Sequence, residues 1–285
     1  MFVQVKGARL FFDVLNPQLA IEDDALHEKP ILICLHGGPG GDHQSLRPHL
    51  DRLGALAQVI YLDQRGGGRS DHGDPADWTL DCWADDVAEV CDALGIEQPI
   101  VLGVSGGAIV AQAFLVRHPA RARGAVLVNA CARMDRETLI AGFAALGGPE
   151  AGAAARAMYT RGAPEDVPAF FRHCLPHYTR KPGGGGMAGM ARSTMNFAVS
   201  QHFFGEGGEA FRFDHRQALG AVACPVLVLA GAHDPVTRPE WGEEIAKALP
   251  ERRAELVLLE DSSHAILADE PERFFAAIEG FIAQL

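Results

Sequence analysis

Long hydrophobic runs are missing from this 285-residue sequence. No run of about 18 apolar residues occurs, which is the length that a membrane-spanning helix requires. Near the first residue, Lys6, Arg9 and Asp13 interrupt the apolar positions, so no hydrophobic core of a signal peptide can be drawn. We therefore expect a soluble, cytoplasmic protein without a membrane partner.

Positive charge is scarce as well. Lys and Arg number 25 against 37 Asp and Glu, which gives a net charge of −12 at pH 7. A field of this sign repels a polyphosphate chain, so we expect no nucleic-acid partner. The content of 48% hydrophobic and 22% charged residues excludes a disordered or fibrous chain. At about 150 residues per domain, the length predicts one large or two modest domains.

Motifs for disulfides, metals and phosphates are also absent. The twelve histidines form no HExxH motif, and His173 and His177 stand at helical spacing without a third ligand. No P-loop and no internal repeat occurs, so we expect neither a metal nor a cofactor. Without a CxxC pair, the cysteines indicate reduced, buried thiols rather than disulfides or zinc ligands; they are Cys34, Cys82, Cys91, Cys131, Cys174 and Cys224.

What is present is a regular alternation of strand and helix patterns. A hairpin is predicted over 2–5 and 9–15, followed after a polar loop by short buried strands. These strands cover 30–35, 59–62, 100–104, 125–128, 225–230 and 256–259. Helical patterns cover 80–94, 108–117, 241–249 and 271–285. The order predicts an α/β fold with a doubly wound, mostly parallel sheet.

Residues 131–221 interrupt this alternation and are predicted to be an insertion. They offer no clear buried strand but an Ala-rich helical pattern with many Phe and Met residues. Gly184, Gly186 and Gly189 have GxGxxG spacing, yet no strand precedes them, so dinucleotide binding is rejected in favour of a flexible loop. Most of the large apolar side chains are expected to form the insertion's own core and a few to roof a cleft; they are Phe143, Phe170, Phe171, Phe197, Phe203, Phe204, Met187, Met190 and Met195.

A G-x-S-x-G motif at 103–107 carries the strongest chemical signal. It follows a predicted strand and opens a predicted helix, which is the context of a nucleophile elbow with Ser105 at its tip. Gly103 and Gly107 would permit close packing of the strand against the helix. The alternative is a glycine-rich turn without chemistry, because the bare motif also occurs by chance.

A serine nucleophile needs a base and an acid, and both follow late strands in the expected order. Asp234 follows the strand 225–230, and His264 follows the strand 256–259. Taken singly, Asp234 before Pro235 could be a turn residue and His264 a polar residue at a helix entry. Their joint placement predicts a Ser105–His264–Asp234 triad, with Asp261 and His233 assigned to loop structure.

The glycine turn 36–40 after the strand 30–35 is predicted to supply an oxyanion hole. The backbone N–H groups of Gly38 and Gly106 are the expected donors. The loop 63–70 is predicted to buttress this turn without touching substrate.

Five segments in this order, HGGPG, DQRGGGRS, GVSGGA, GAHDP and SSHA, resemble an α/β-hydrolase-fold enzyme and in particular the proline iminopeptidase group. The resemblance spans nearly the whole chain. It implies a lidded hydrolase for small acyl substrates, often N-terminal proline peptides or amino-acid amides. It further implies a core formed by 1–130 and 222–285 and a helical cap formed by 131–221.

Two departures keep the substrate open. Peptidases of this group usually carry tryptophan directly after the nucleophile, where this sequence has Gly106. The acid that would hold a substrate ammonium is also not identified; Glu206 and Glu209 are candidates, together with Glu165, Asp166 and Asp214. A serine hydrolase similar to the proline iminopeptidases, which cleaves small amide or peptide substrates through an acyl-enzyme, is the leading interpretation. An esterase or lactonase is the alternative, and the complete triad argues against the third interpretation, a binding protein without catalysis. The oligomeric state is not predicted.

Overall fold

A central eight-stranded sheet organises the computed structural model, which describes residues 1–22, 24–181 and 192–285. Across the sheet the strands are β1 (Phe2–Val5), β2 (Ala8–Leu15), β6 (Gln58–Leu62), β5 (Ile31–Leu35), β7 (Ile100–Val104), β8 (Gly124–Val128), β9 (Val226–Gly231) and β10 (Ala254–Leu259). Strand β2 pairs antiparallel with β1 and β6, and every later pair is parallel. The predicted α/β class and mostly parallel sheet are confirmed.

The central strands are continuous apolar runs, and because successive side chains point to opposite faces, both faces of the sheet are buried. Every residue of β8 and β9 is buried, as expected for central parallel strands covered by helices. Neighbouring residues of β5 divide between two apolar clusters, with Ile33 on one face and Leu32 on the other. This two-sided core fixes the strand register and therefore the positions at which the strands end.

Four helices complete the two outer layers. They are α1 (Leu80–Leu94), α2 (Gly106–Arg117), α6 (Pro239–Ala248) and α8 (Pro271–Ile282). The first three pack on one face of the sheet and α8 packs on the other. Helix α1 begins after Thr79, whose hydroxyl accepts from the Cys82 N–H, and ends at the left-handed Gly95.

The segment between β2 and β5 differs from the predicted polar loop. It forms a separate two-stranded hairpin, β3 (Leu19–Glu22) and β4 (Ala25–Glu28). Leu19, Ile21 and Leu26 are exposed there, so neither strand packs on the core. The sequence therefore lacks the alternation of apolar and polar residues by which a half-buried strand is recognised.

Helices fill the described parts of the predicted insertion. They are α3 (Arg136–Thr160), α4 (Val167–His173) and α5 (Phe197–Phe204). Helix α3 is interrupted at Gly148, which has a positive φ of 74° and precedes Pro149. One short helix, α7 (Ile266–Asp269), precedes α8. The glycine motif at Gly184, Gly186 and Gly189 lies outside the described residues, as do Met187 and Met190.

All six cysteines are free thiols, and only Cys82 is not fully buried. Burial raises the pKa of each, to about 11 at Cys224, which keeps the thiols protonated and unreactive. Within the described part of the chain, no three His, Cys, Asp or Glu side chains cluster closely enough to bind a metal ion. No helix in that part is long and apolar enough to span a membrane.

Candidate active site

Ser105 lies at the sharp turn between β7 and α2. Its φ of 54° and ψ of −118° are strained for a residue with a side chain, which is the conformation of a nucleophile elbow. The turn is held by a 2.8 Å hydrogen bond from the Ser105 N–H to the Val128 carbonyl. A Cβ at Gly103 or Gly107 would overlap backbone atoms of the neighbouring segments, so both glycines are required by close packing.

Ser105, His264 and Asp234 form one continuous hydrogen-bonded chain. The Ser105 Oγ lies 3.0 Å from His264 Nε2, and His264 Nδ1 lies 2.7 Å from Asp234 Oδ2. Asp234 is buried and also accepts bonds from the Val236 N–H, the Thr237 N–H and the Thr237 hydroxyl. With this carboxylate on Nδ1, the neutral imidazole carries its proton there and offers Nε2 to the serine as a base.

Asp261 and His233, the two other candidates for the acid and the base, lie outside the hydrogen-bonded chain of Ser105, His264 and Asp234. Asp261 is exposed, and its backbone N–H donates to Glu270. His233 is exposed as well, and its N–H donates to the Ser262 carbonyl. Neither residue is hydrogen-bonded to Ser105 or His264, and both lie in loops.

Gly38 and Gly106 adjoin each other beside Ser105. A Cβ built on Gly106 would lie 3.3 Å from the Gly38 nitrogen and 3.2 Å from Pro39 Cδ. As the first residue of α2, Gly106 has no helical acceptor for its N–H. Among the described residues neither N–H donates to another protein atom, so the two are free to stabilise an oxyanion.

The loop after β6 supports this glycine turn. The Gln64 N–H donates to His36 Nε2, and the Gln64 side chain donates to the His36 carbonyl. Burial lowers the pKa of His36, which keeps its imidazole neutral and able to accept that bond. Arg65 and Asp86 form a buried, two-point ion pair behind the loop. These contacts agree with the predicted supporting role of residues 63–70.

A cavity of about 290 Å³ opens above Ser105 between the carboxyl ends of the strands and the helices of residues 131–221. Its walls are largely apolar, and no Asp or Glu is among the described residues that line it. Residues 182–191, which lie outside the description, also contain no Asp or Glu in the sequence. The large side chains that reach it from the insertion include Met134, Met158, Phe170, Phe171, Met195 and Phe204.

Comparison with known proteins agrees with this geometry. A family model described as the alpha/beta hydrolase fold matches residues 30–271. The chain belongs to this family. A proline iminopeptidase of Saccharolobus solfataricus is 27% identical over 89% of this chain and 85% of its own length. A 3-oxoadipate enol-lactonase of Acinetobacter baylyi is 25% identical over 86% of both chains.

Among solved structures, a proline iminopeptidase of Mycobacterium smegmatis has a TM-score of 0.77 and 25% identity. The match covers 100% of this chain and 97% of that one. The predicted resemblance to α/β hydrolases near the proline iminopeptidases is therefore confirmed. Because relatives of similar identity carry different activities, they do not define the substrate.

None of the candidate substrate-binding acids is among the described residues that line the cavity above Ser105. Glu209 does not face the cavity, because its carboxylate accepts from the N–H of Leu80 at the start of α1. Glu206 is exposed and lines a separate surface depression with Trp78. Asp166 pairs with Arg161, Asp214 pairs with Arg216, and Glu165 is exposed. Ion pairs therefore account for Asp166 and Asp214, and the cap of α1 accounts for Glu209.

Two supporting residues were missed in the sequence. Thr237 donates its hydroxyl to Asp234, and Asn129 links the carbonyl of His264 to the N–H of Gly231. Asn129 had one usable signal, since a polar residue directly after the apolar strand 125–128 must lie at the edge where the triad strands end.

Proposed function

We propose that this enzyme is a serine esterase that cleaves esters or lactones with uncharged, apolar acyl groups. The observation that carries the proposal is the cavity above Ser105, which is apolar and lacks a carboxylate. Transfer of a small apolar acyl group from water to such a surface is favourable by about 25 cal/mol for each Å² of apolar surface buried.

The hydrogen-bonded chain supports an acyl-enzyme mechanism. His264 Nε2 removes the proton from the Ser105 hydroxyl as Oγ attacks the substrate carbonyl carbon. The N–H groups of Gly38 and Gly106 stabilise the resulting oxyanion, and Asp234 stabilises the imidazolium. His264 then protonates the departing alkoxide. In the second half, His264 deprotonates a water molecule as its oxygen attacks the acyl carbon. The imidazolium then returns this proton to Ser105 Oγ as the bond between Oγ and the acyl carbon breaks, and the carboxylic acid leaves.

Charge in and near the cavity argues against a substrate ammonium. A buried ammonium without a partner carboxylate pays an uncompensated cost of desolvation. The titratable groups that line the cavity are His264, His49 and two tyrosines, none of which supplies negative charge at neutral pH. Burial lowers the pKa of His49, and the nearby charge of Arg192 lowers it further. The nearest carboxylate behind these groups, Asp234, is already engaged by His264 and Thr237, so a substrate amino group would find no carboxylate among the described lining residues.

The second candidate is an aminopeptidase for N-terminal proline. The sequence similarity to proline iminopeptidases favours it. That activity requires a carboxylate near the substrate amine, which the described residues do not bring to the cavity.

A matched pair of substrates separates the two candidates. The phenyl esters of cyclopentanecarboxylic acid and of proline have the same leaving group and ring size, and they differ in one ring position, CH₂ against NH₂⁺. We expect kcat/KM to be at least ~30-fold higher for the cyclopentane ester, which corresponds to ~2 kcal/mol for an unpaired buried ammonium.

Two controls define the result. A fluorophosphonate probe should label Ser105 in the wild-type enzyme, and Ser105→Ala should remove both labelling and turnover. A preference for the proline ester would support the aminopeptidase. Failure of the probe to label Ser105 would contradict serine hydrolysis altogether.

A further inference from the structure

Asn129 occupies a junction at the carboxyl end of β8. It is fully buried, and its φ of 48° places it in the left-handed region, which asparagine tolerates better than most residues. The preceding residue, Val128, accepts the hydrogen bond from the Ser105 N–H. The Asn129 N–H itself donates to the Leu229 carbonyl of β9.

The Asn129 side chain uses both ends of its amide. Nδ2 donates to the His264 carbonyl at 2.7 Å, and Oδ1 accepts from the Gly231 N–H at 3.2 Å. Gly231 is the last residue of β9, three positions before Asp234. Val128 and Asn129, at the end of β8, are therefore hydrogen-bonded to the turn of Ser105, to β9, which precedes Asp234, and to the backbone of His264.

The surroundings of His264 show why this link matters. The next residue, Ala265, donates its N–H to the Tyr178 carbonyl, and the Ser263 hydroxyl donates to the His177 carbonyl. Both partners belong to residues 131–221, so the histidine loop is held partly by the insertion that roofs the cavity. The His264 carbonyl is instead held by Asn129 on the sheet.

We propose that Asn129 is a positioning residue that fixes the distance between His264 Nε2 and Ser105 Oγ. This inference rests on the proposed serine-hydrolase mechanism. Asn129 acts by tying the backbone of the base to the same strand end that holds the nucleophile turn. The 3.0 Å contact between base and nucleophile then depends on the sheet and not on the insertion alone.

The amide is suited to this role in three respects. It donates to a carbonyl, it accepts from an N–H, and asparagine adopts a left-handed φ at low cost. Aspartate has the same size and accepts from Gly231, but as a carboxylate it cannot donate to the His264 carbonyl. Glycine suits the backbone and removes both side-chain bonds.

Two variants and one matched control test the inference. Asn129→Gly removes both bonds, and Asn129→Asp, assayed at a pH where the new carboxyl is ionised, removes the bond to His264 while keeping the size of the side chain. The control is Gln112→Met, because Gln112 is also a fully buried amide but donates to Ala108 and Cys131. Each protein is assayed with the phenyl ester of cyclopentanecarboxylic acid, and the His264 Nδ1 proton is observed by NMR.

We expect both Asn129 variants to lower kcat by roughly 10- to 100-fold with KM within about two-fold, because misplacement of a catalytic group by about 1 Å costs this much. The His264 Nδ1 proton resonance should shift or broaden. Gln112→Met should keep kcat within about two-fold, and its resonance should not change.

Wild-type kcat in a folded Asn129→Gly or Asn129→Asp protein overturns the inference, and so does an equal loss of kcat in Gln112→Met. If Asn129→Gly does not fold, Asn129→Asp decides. If the wild-type enzyme does not turn over the ester, the proposed function fails, and the NMR signal alone then decides: a resonance unchanged in the Asn129 variants overturns the positioning role.

Discussion

The carboxyl ends of the parallel strands, here called the sheet edge, and the insertion above them place polar groups differently. At the sheet edge, Asp234 is buried and its two oxygens receive four hydrogen bonds. In the insertion, the side chains that reach the cavity are mainly Phe and Met, and the candidate acids lie elsewhere, as Asp214 does in its surface pair with Arg216. Under the proposed function, the sheet edge would carry out the reaction and the insertion would select the acyl group.

Hydrogen bonding follows the same division. Burial alone would raise the pKa of Asp63 beside the glycine turn, but hydrogen bonds from His43 and the Arg69 N–H lower it. Such fully bonded carboxylates hold their loops in one conformation. The insertion instead covers the cavity with apolar side chains such as Met195, which packs directly over Gly38: its Cε lies 3.4 Å from where a Cβ on Gly38 would be. Flexible thioethers adapt to ligands of different shape.

The largest effect should come from the sheet edge. Ser105→Ala should lower kcat by roughly 10⁵- to 10⁶-fold, because it removes the nucleophile while the remaining groups only bind and polarise the substrate. Stability should change by less than about 1 kcal/mol, since the hydroxyl contributes little to packing. Steady-state kinetics and thermal unfolding measure the two quantities. Residual turnover above a few per cent would remove Ser105 from the mechanism.

The next effect separates Asp234 from Asp261. Asp234→Asn should lower kcat by roughly 10³- to 10⁴-fold, because an amide on His264 Nδ1 favours the wrong imidazole tautomer. Asp261→Asn should stay within about two-fold, since its side chain is exposed. Parallel kinetics of the two variants make the comparison. The reverse ranking would transfer the role of the acid to Asp261.

The contrast between the two regions also explains what the sequence could predict. Ser105, Asp234 and His264 each follow a strand whose apolar run is evident, so their chain order indicated which residues meet. The insertion has no such rule, since the sequence does not show which of its helices faces the cavity. Glu209 therefore remained a plausible ligand for an amine until its contact with the Leu80 N–H was visible. Asn129 was missed because its function depends on two contacts distant in sequence, His264 and Gly231.

A smaller effect concerns His215, where the insertion rejoins the sheet. Its N–H donates to the Ala132 carbonyl, beside the bridge between Arg133 and Asp214. Burial lowers the pKa of His215 from 6.5 to about 4, despite the opposing charges of Asp214 and Asp81. The neutral form is therefore favoured in the fold, and its stability contribution is complete above pH 6.5 and is lost as pH falls towards about 4.

His215→Phe should remove this part of the pH dependence. The wild-type free energy of unfolding should fall by about 2–3 kcal/mol more than that of the variant over this range. Urea unfolding at several pH values measures it, with the exposed His27 replaced by Gln as the control. Equal pH dependence in wild type and His215→Phe would show that the histidine is not held neutral.

The smallest effect separates stability from substrate binding in the insertion. The Glu209 carboxylate accepts from the first N–H of α1 at 2.7 Å, where a negative charge also interacts favourably with the helix dipole. Glu209→Ala should therefore lower the free energy of unfolding by about 1 kcal/mol and leave KM for both phenyl esters unchanged. Glu206→Ala is the matched control, because Glu206 is exposed and should affect neither quantity. A higher KM for the proline ester alone, in either variant, would place a carboxylate beside the substrate amine and return the enzyme to the aminopeptidases.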